Sequence, residues 1–243
     1  MATSTKSSSP VEQHGHGHDP LLHHQFEDMH QQTESYLVGM WSFLVTEIMF
    51  FGALFIMYSI YRWKYSHEFW EVHNLLDWKL GGINTFILLL SSFSMAMGVH
   101  YATLKKHALV NRCLAFTVLC ACAFLVIKLG WEWWPKWEHN LFPGPGFEWN
   151  EHSLEKYIKP GSDLLSVSPN IAQLFLSLYF AMTGLHGIHV LVGILVLVGL
   201  MVLHKKQTPS AQDYVNTEMV GLYWHFVDLV WIFLYPLFYL IPK

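Results

Sequence analysis

Charged residues are scarce in this sequence. Asp, Glu, Lys and Arg make up 13% of its 243 residues, whereas hydrophobic residues make up 53%. An average soluble domain carries about a quarter charged residues, so the composition excludes an ordinary soluble domain and indicates a membrane protein. The formal net charge is only −4 and the charges are scattered along the chain, so the net charge by itself does not suggest a nucleic-acid or acidic-lipid partner.

Cysteine is scarce, and the sequence has no recognisable signal peptide. The 3 cysteines, Cys113, Cys120 and Cys122, lie in or at the edge of a single apolar segment, where they more plausibly pack between helices than form disulfides. Residues 1–35 are polar and lack the apolar h-region of a signal peptide. We therefore expect neither a disulfide framework nor removal of an N-terminal segment.

Long apolar segments, in contrast, are abundant. A helix needs about 20 mostly apolar residues to cross a membrane. The sequence therefore predicts an all-α fold, a polytopic membrane bundle of five transmembrane helices within a domain over 36–243. Residues 1–35 are predicted to be a disordered, His-rich tail on the cytoplasmic side. The five predicted spans are 37–61, 83–101, 113–131, 171–203 and 218–241.

The loops between the spans predict the orientation of the helices. The short loops 102–112 and 204–217 carry clustered Lys and Arg residues, whereas acids outnumber lysines in 132–170, which lies on the opposite side together with 62–82. Cytoplasmic loops carry an excess of basic residues. The N-terminus is therefore predicted to be cytoplasmic and the C-terminus outside.

The tail contains a histidine tract, HGHGH, with His14, His16 and His18. Flexible histidines at such spacing bind zinc or copper weakly. The competing interpretation is a solvated tail without a ligand, and the sequence leaves both open.

Several ionisable residues fall inside the apolar segments. Glu47 and Asp228 each lie about ten residues from the predicted inner end of a span, which is roughly 15 Å deep at about 1.5 Å per residue. His186 and His189 are spaced i, i+3, as are His225 and Asp228, so each pair is predicted to share one helix face. A charge at mid-depth costs about 2.5–3.5 kcal/mol on insertion scales. Each group therefore needs a partner, a neutral form, or contact with protein or water.

Glycines accompany the two histidines of the fourth span. Gly184, Gly187 and Gly193 follow one another along this segment, and small residues allow a neighbouring helix to approach closely in a membrane. The sequence therefore predicts a tightly packed partner helix at these glycines.

Four interpretations of the intramembrane residues remain open. Haem or metal ligation by the histidines would make the chain a redox enzyme, although there are few histidines for a site with several convergent ligands. A proton or ion path through Glu47, His189 and Asp228 would make it a transporter, although the paired broken helices of an inverted-repeat carrier are missing. In the other two interpretations the residues bind lipid and pack against a larger partner, or satisfy one another and hold the helices in register.

Several strings, in the same order, resemble subunit III of the haem-copper oxidases. TGLHGIHVLVG and LYWHFVDLVWIFLYPLFY resemble the last two helices of that family, and TEIMFF, INTFILLLSSFSMAMGVHYA and KLGWEWW resemble parts of the three helices before them. The resemblance covers all five predicted spans. Many family members have seven spans, whereas this chain resembles only the later five, as in the five-helix form found in bacteria.

The resemblance implies an accessory, non-catalytic subunit. The family belongs to respiratory oxidases that reduce dioxygen to water and pump protons, with haem and copper held by subunits I and II. It implies no catalytic residue, cofactor or metal in this chain, which would be a multi-pass subunit of a bacterial plasma membrane bound to subunits I and II. Its expected role is to support proton uptake and the stability of the catalytic core.

The resemblance also implies roles for single residues. Glu47 matches a buried carboxyl that reacts with carbodiimides, and the family's helices enclose bound phospholipid. WHFVDLVW and FLYPLFY look closer to oxidases that take electrons from cytochrome c; a ubiquinol oxidase is the alternative, and a stand-alone transporter is the alternative from another class. The residues expected to contact lipid or neighbouring helices inside the membrane are His186, His189, His225 and Asp228, and the candidate contacts to a lipid phosphate are His204, Lys205 and Lys206.

Overall fold

All regular structure described for this chain is helical. The structure, a computed structural model, describes residues 25–158, 163–206 and 214–241. In chain order, its helices are α1 (Met29–Lys64), α2 (Ser66–His73), α3 (Trp78–Thr103), α4 (His107–Glu138), α5 (Glu151–Leu154), α6 (Pro169–Lys205) and α7 (Tyr214–Tyr239).

Five of these helices, α1, α3, α4, α6 and α7, are long and apolar enough to cross a membrane. The predicted number of spans is therefore confirmed, and the chain is a multi-pass membrane protein. Residues 29–35, which the sequence assigns to the tail, form the first turns of α1. The predicted metal-binding tract at His14, His16 and His18 lies outside the described residues, and the inside–outside orientation stays a prediction.

The end of the third span also differs from the prediction. The sequence places this end at 131, but α4 continues to Glu138. Ile127–Trp133 is a π-helical segment, and α-helical geometry resumes at Trp134. Pro135 lies in the first turn of this resumed α-helical part, a position where proline is well tolerated. Glu132 and Lys136, which the sequence assigns to the loop 132–170, are each only 3% exposed.

Side-chain caps set where two of the long helices begin. The Asp28 carboxylate accepts a hydrogen bond from the Gln31 N–H at 2.7 Å, and the Asp77 carboxylate accepts one from the Lys79 N–H at 2.9 Å. Each cap satisfies a backbone donor that has no partner inside its own helix. The caps therefore explain the starts of α1 and α3.

The last helix, α7, is the most enclosed of the five. Half (50%) of its most apolar window is buried within the chain, against 17% for α1. α3 packs along α4 and α7, α6 packs on α4 and α7, and α1 lies at the edge, mainly against α7. A broad apolar face of α1, including Trp41, Val45 and Ile48, is exposed on the surface of the chain.

Aromatic rings close the end of the bundle at which α2 packs. Tyr58, Phe69, Phe175 and Phe238 come from α1, α2, α6 and α7 and are fully buried. Their rings meet edge to face, with centroids 4.7 Å apart for Tyr58 and Phe238 and 5.1 Å for Phe69 and Phe175, a favoured geometry for aromatic pairs. The Tyr58 hydroxyl donates to the Leu237 carbonyl at 2.8 Å. These contacts hold α2 against the long helices α1, α6 and α7.

Gly193 lies at a tight contact between α6 and α7. A Cβ atom built on Gly193 would lie 2.7 Å from the Trp224 ring, and one on Gly184 would lie 3.3 Å from the Trp133 ring. At Gly187 nothing lies within 4 Å of such an atom. The predicted close packing is thus confirmed at Gly193 and Gly184 and wrong at Gly187.

We predict that Gly193→Ala lowers the free energy of unfolding by about 1–3 kcal/mol, because the added methyl group overpacks the contact with the fully buried Trp224 ring. Thermal unfolding of the chain in detergent measures this change. Gly199→Ala on the same helix is the matched control, since nothing lies within 4 Å of its added methyl and alanine favours helix. Equal destabilisation by both substitutions would contradict the prediction.

Candidate functional site

Glu47 of α1 and His189 of α6 form a polar pair. Glu47 Oε2 lies 3.1 Å from His189 Nε2, and the two side chains are 20% and 18% exposed. Nδ1 of the same ring lies 2.8 Å from the Leu185 carbonyl oxygen, which only accepts hydrogen bonds, so Nδ1 must carry a proton. The contact between Nε2 and the carboxyl group then needs one more proton, held either by the carboxyl or by an imidazolium. In either form the pair is neutral overall.

The pair opens into an apolar groove between α1, α6 and α7. The groove has a volume of about 360 Å³, and Glu47 and His189 lie in its lining. The Tyr223 hydroxyl, also in the groove, donates to the His189 backbone carbonyl at 3.0 Å. A long apolar groove with a few polar groups suits a lipid acyl chain better than a charged solute. The apolar lining consists of Met40, Phe43, Ile188, Val192, Val196, Met219 and Val220.

Asp228 and His225 of α7 each bind a serine of α3. The Ser91 hydroxyl lies 3.4 Å from Asp228 Oδ2, and the Ser92 hydroxyl lies 2.7 Å from His225 Nδ1. The Trp224 indole N–H donates to the Ser91 hydroxyl at 3.1 Å. Of the alternatives left open by the sequence, the neighbouring helix is thus the partner of both residues. Asp228 is 3% exposed, so it is enclosed by protein.

His186 and His189 face different neighbours despite their i, i+3 spacing. The His186 ring is 1% exposed and packs against Phe124 and Trp231, with centroids 5.5 and 5.1 Å away. Neither of its ring nitrogens has a hydrogen-bond partner. His189 instead faces Glu47 on α1. The predicted shared polar face is therefore wrong for this pair, and His186 belongs to the core.

The three candidate phosphate contacts lie at the C-terminal end of α6 and differ in their exposure. His204 is 2% exposed, and its Nε2 lies 3.1 Å from the Thr217 hydroxyl of α7. Lys205 and Lys206 are exposed, and Lys205 borders a surface groove of about 380 Å³ between α4 and α6. The two lysines therefore lie on the surface of the chain, whereas His204 links α6 to α7.

Sequence reasoning missed a buried ionic cluster at the end of α4. Lys128 Nζ donates to Glu132 Oε2 at 2.8 Å, to the Tyr179 hydroxyl at 2.8 Å and to the Tyr239 hydroxyl at 2.5 Å. The Tyr179 hydroxyl donates to Glu132 Oε1 at 2.5 Å, and the Tyr239 hydroxyl donates to the same oxygen. The Lys128 and Glu132 side chains are only 4% and 2% exposed. Each of the three ammonium donors of Lys128 thus has an acceptor.

The cluster joins three of the spanning helices. Lys128 and Glu132 come from α4, Tyr179 from α6 and Tyr239 from α7. One turn further along α4, Lys136 Nζ donates to the Glu132 backbone carbonyl at 3.0 Å. Breaking a buried pair leaves an uncompensated charge, which costs about 3–5 kcal/mol. The cluster therefore couples the register of α4 to that of α6 and α7.

A sequence signal for this cluster exists. Lys128, Glu132 and Lys136 are spaced i, i+4 in KLGWEWWPK, a spacing that places alternating charges on one helix face. The dense tryptophans and Pro135 instead suggest an interfacial loop. The charge spacing carries the better information here, because α4 does not end at 131.

Comparisons with known proteins match the chain to one family. The family described as "Cytochrome c oxidase subunit III" matches residues 164–242, which include α6 and α7. The cytochrome c oxidase subunit 3 of Thermostichus vulcanus is 28% identical over 220 residues, covering 88% of this chain and 91% of its own length. The probable quinol oxidase subunit 3 of Staphylococcus haemolyticus is 29% identical over 210 residues, covering 84% of this chain and 88% of its own length. These matches extend well beyond the last two helices.

We predict that Glu132→Gln lowers the free energy of unfolding by about 3–5 kcal/mol, because it leaves the buried Lys128 ammonium without a counter-charge. Thermal unfolding in detergent measures the loss. The control is Glu138→Gln, at an exposed position of the same helix, which should change stability little. In the double variant with Lys128→Met and Glu132→Met most of the stability should return, because no charge stays buried; a double variant worse than Glu132→Gln would refute this account.

Proposed function

Because the chain belongs to the haem-copper oxidase subunit III family, we propose that it is the non-catalytic accessory subunit of a proton-pumping terminal oxidase, where it supports proton uptake and the stability of the core. The match of the family to α6 and α7, together with relatives aligned over most of the chain, carries this proposal. Subunit III of a haem-copper terminal oxidase works in a complex, so other oxidase subunits are its partners, and those subunits carry the redox centres.

The electron donor is the finer part of the proposal. We take cytochrome c as the donor, because WHFVDLVW and FLYPLFY in α7 resemble that branch. Ubiquinol is the second candidate. A relative named as a cytochrome c oxidase subunit and one named as a probable quinol oxidase subunit match at the same 28% identity. Oxygen consumption by the assembled complex with each donor distinguishes the two.

Phospholipid is the proposed ligand of this subunit. The groove beside Glu47 and His189 is lined mostly by apolar side chains, which suits an acyl chain. Lys205 and Lys206 are exposed at the end of α6 that is predicted to be cytoplasmic, where an anionic headgroup lies. Lipid held along α1 and α6 would shield the flank of subunits I and II and keep their contact surface with this subunit in place.

The proposed accessory role is consistent with the chemistry of the described residues. Asp228 and the Lys128–Glu132 pair are enclosed and bound within the chain. Glu47 differs from Asp228 and Glu132 because it lies in an open groove. Its pairing with His189 keeps the site neutral overall. We therefore assign Glu47 to the lipid-facing groove and not to the main proton route of the oxidase.

Affinity purification of this chain from its native membrane in mild detergent tests the function. We expect haem absorbance to copurify with the chain and to disappear when the chain is isolated alone. Oxygen consumption should be faster with reduced cytochrome c than with ubiquinol; the reverse would move the chain to the quinol branch. Haem retained on the isolated chain would overturn the accessory role, and an absence of haem from both samples would favour a transporter.

We predict that Glu47→Gln abolishes labelling of this chain by a hydrophobic carbodiimide and leaves most oxygen reduction in the assembled complex intact. Carbodiimides react with protonated carboxyl groups, and the groove gives them access to Glu47. Asp228→Asn is the matched control: Asp228 is enclosed at 3% exposure, so labelling should persist. Loss of all oxygen reduction in a fully assembled Glu47→Gln complex would place Glu47 in the proton route after all.

A further inference from the structure

Three side chains with metal-binding atoms converge at the end of the bundle where α2 lies. One nitrogen of His67 and one carboxylate oxygen each of Glu71 and Asp163 all lie within 4.8 Å of one another. His67 and Glu71 are one turn apart on α2, and Asp163 immediately precedes the 3₁₀ turn Leu164–Ser166. The cluster therefore joins two segments that are far apart in the sequence.

Glu71 is the residue that points to a ligand. It is 3% exposed, and its Oε2 is buried without a hydrogen-bond partner. A buried carboxylate that lacks a partner is costly, so such groups are normally paired or bound to a metal ion. Arg62 lies one turn before α2, but no ion pair joins it to Glu71 or Asp163 within the described ranges. A cation at this position would compensate the buried charge.

The backbone around the cluster is well anchored. Phe69 and Val72, on the opposite side of α2, are fully buried (0% exposed), and Leu164, next to Asp163, is 1% exposed. The Asp163 carbonyl accepts hydrogen bonds from the Ser166 backbone N–H at 2.9 Å and from its hydroxyl at 2.6 Å. Because packing holds both segments, the three metal-binding side chains are presented to one another without help from a bound ion.

We propose that His67, Glu71 and Asp163 bind a divalent transition-metal ion of the zinc type. One imidazole and two carboxylates are ligands that Zn²⁺ accepts, whereas a site for Ca²⁺ would be built of oxygen ligands alone. Two carboxylates and a neutral imidazole carry a charge that one divalent ion cancels. Tetrahedral bonds of about 2.0–2.1 Å place ligand atoms roughly 3.4 Å apart, so the exposed side chains of His67 and Asp163 close around the ion by rotation. Water takes the fourth position.

The surroundings supply a path for the ion. His67 borders an open groove of about 650 Å³ together with Ser66 and Trp70 of the same helix. This end of the bundle is the one that the loop charges predict to lie outside. The bound ion would tie α2 to the segment that leads into α6, and so brace the aromatic core formed by Phe69 and Phe175.

Zinc loading of the purified oxidase complex tests the site. The complex is stripped with chelator, loaded with ZnCl₂ and desalted, and its zinc content is measured against haem iron. We expect the native complex to hold one more zinc than a complex with Asp163→Asn or Glu71→Gln. The affinity at this site should fall at least about tenfold, since even outer-shell substitutions weaken metal sites by about 10–100-fold. His152→Gln, at an exposed histidine of α5, is the matched control and should retain the zinc.

Two results would overturn the proposal. The first is equal zinc in the native and Asp163→Asn complexes with this subunit present in both; because Asp163 is exposed, its substitution decides the matter even where Glu71→Gln prevents assembly. The second is an equal loss of zinc in the His152→Gln control. X-ray absorption at the zinc edge of the complex, compared with the Asp163→Asn complex, should show a difference signal from nitrogen and oxygen ligands. Sulfur in that signal would exclude these three ligands.

Discussion

A polar group inside a membrane span has no water to bind, so a partner in protein or a lined cavity lowers the cost of burying it. This constraint organises the bundle. Lys128 and Glu132 place opposite charges within hydrogen-bonding distance, and the hydroxyls of Tyr179 and Tyr239 form further hydrogen bonds with both. Asp228 is satisfied only in part: its Oδ2 lies 3.4 Å from the Ser91 hydroxyl of the neighbouring helix, and its Oδ1 is buried without a hydrogen-bond partner. Lys128 and Glu132 lie on the same helix, but their tyrosine partners and the serine partner of Asp228 lie on other helices. Correct polar pairing therefore requires one arrangement of α3, α4, α6 and α7.

The same constraint distinguishes the enclosed acids Glu132 and Asp228 from Glu47, which is accessible from the groove. Glu132 and Asp228 are each about as enclosed as core residues, at 3% exposure. Glu47 has its own partner in His189, yet both side chains keep about a fifth of their surface open to the groove. A shared proton lets this pair face an apolar occupant without a net charge. The enclosed acids therefore stabilise the packing, whereas the groove acid can meet a lipid or a reagent.

Hydropathy predicted the number of spans because length and apolar content alone decide whether a helix crosses a membrane. It does not predict the contacts, because helices that are apolar on all sides carry no hydrophobic signal for their rotation. His186 and His189 are about 60° apart around the helix axis, and that angle is enough to send one to the core and the other to α1. The pairing of His189 with Glu47 could not be predicted from local spacing either, because the two residues are 142 positions apart in the sequence. Local spacing was informative at two places: the i, i+4 charges of Lys128 and Glu132, and the i, i+3 pair His225 and Asp228, which both face serines of α3.

The helix α1 is weakly buried because it takes little part in the polar contacts between the spans. Its most apolar window is 17% buried within the chain, and polar contacts to the other spans are few along it. In a bilayer an apolar helix face is at no disadvantage against lipid, because lipid tails are as apolar as leucine. Exposure of α1 therefore does not by itself require a protein partner. The groove between α1 and its neighbours is different, since it places a carboxyl and an imidazole beside an otherwise apolar surface. An acyl chain in this groove, as proposed above, would contact α1, α6 and α7 together and so help to hold α1 against the bundle.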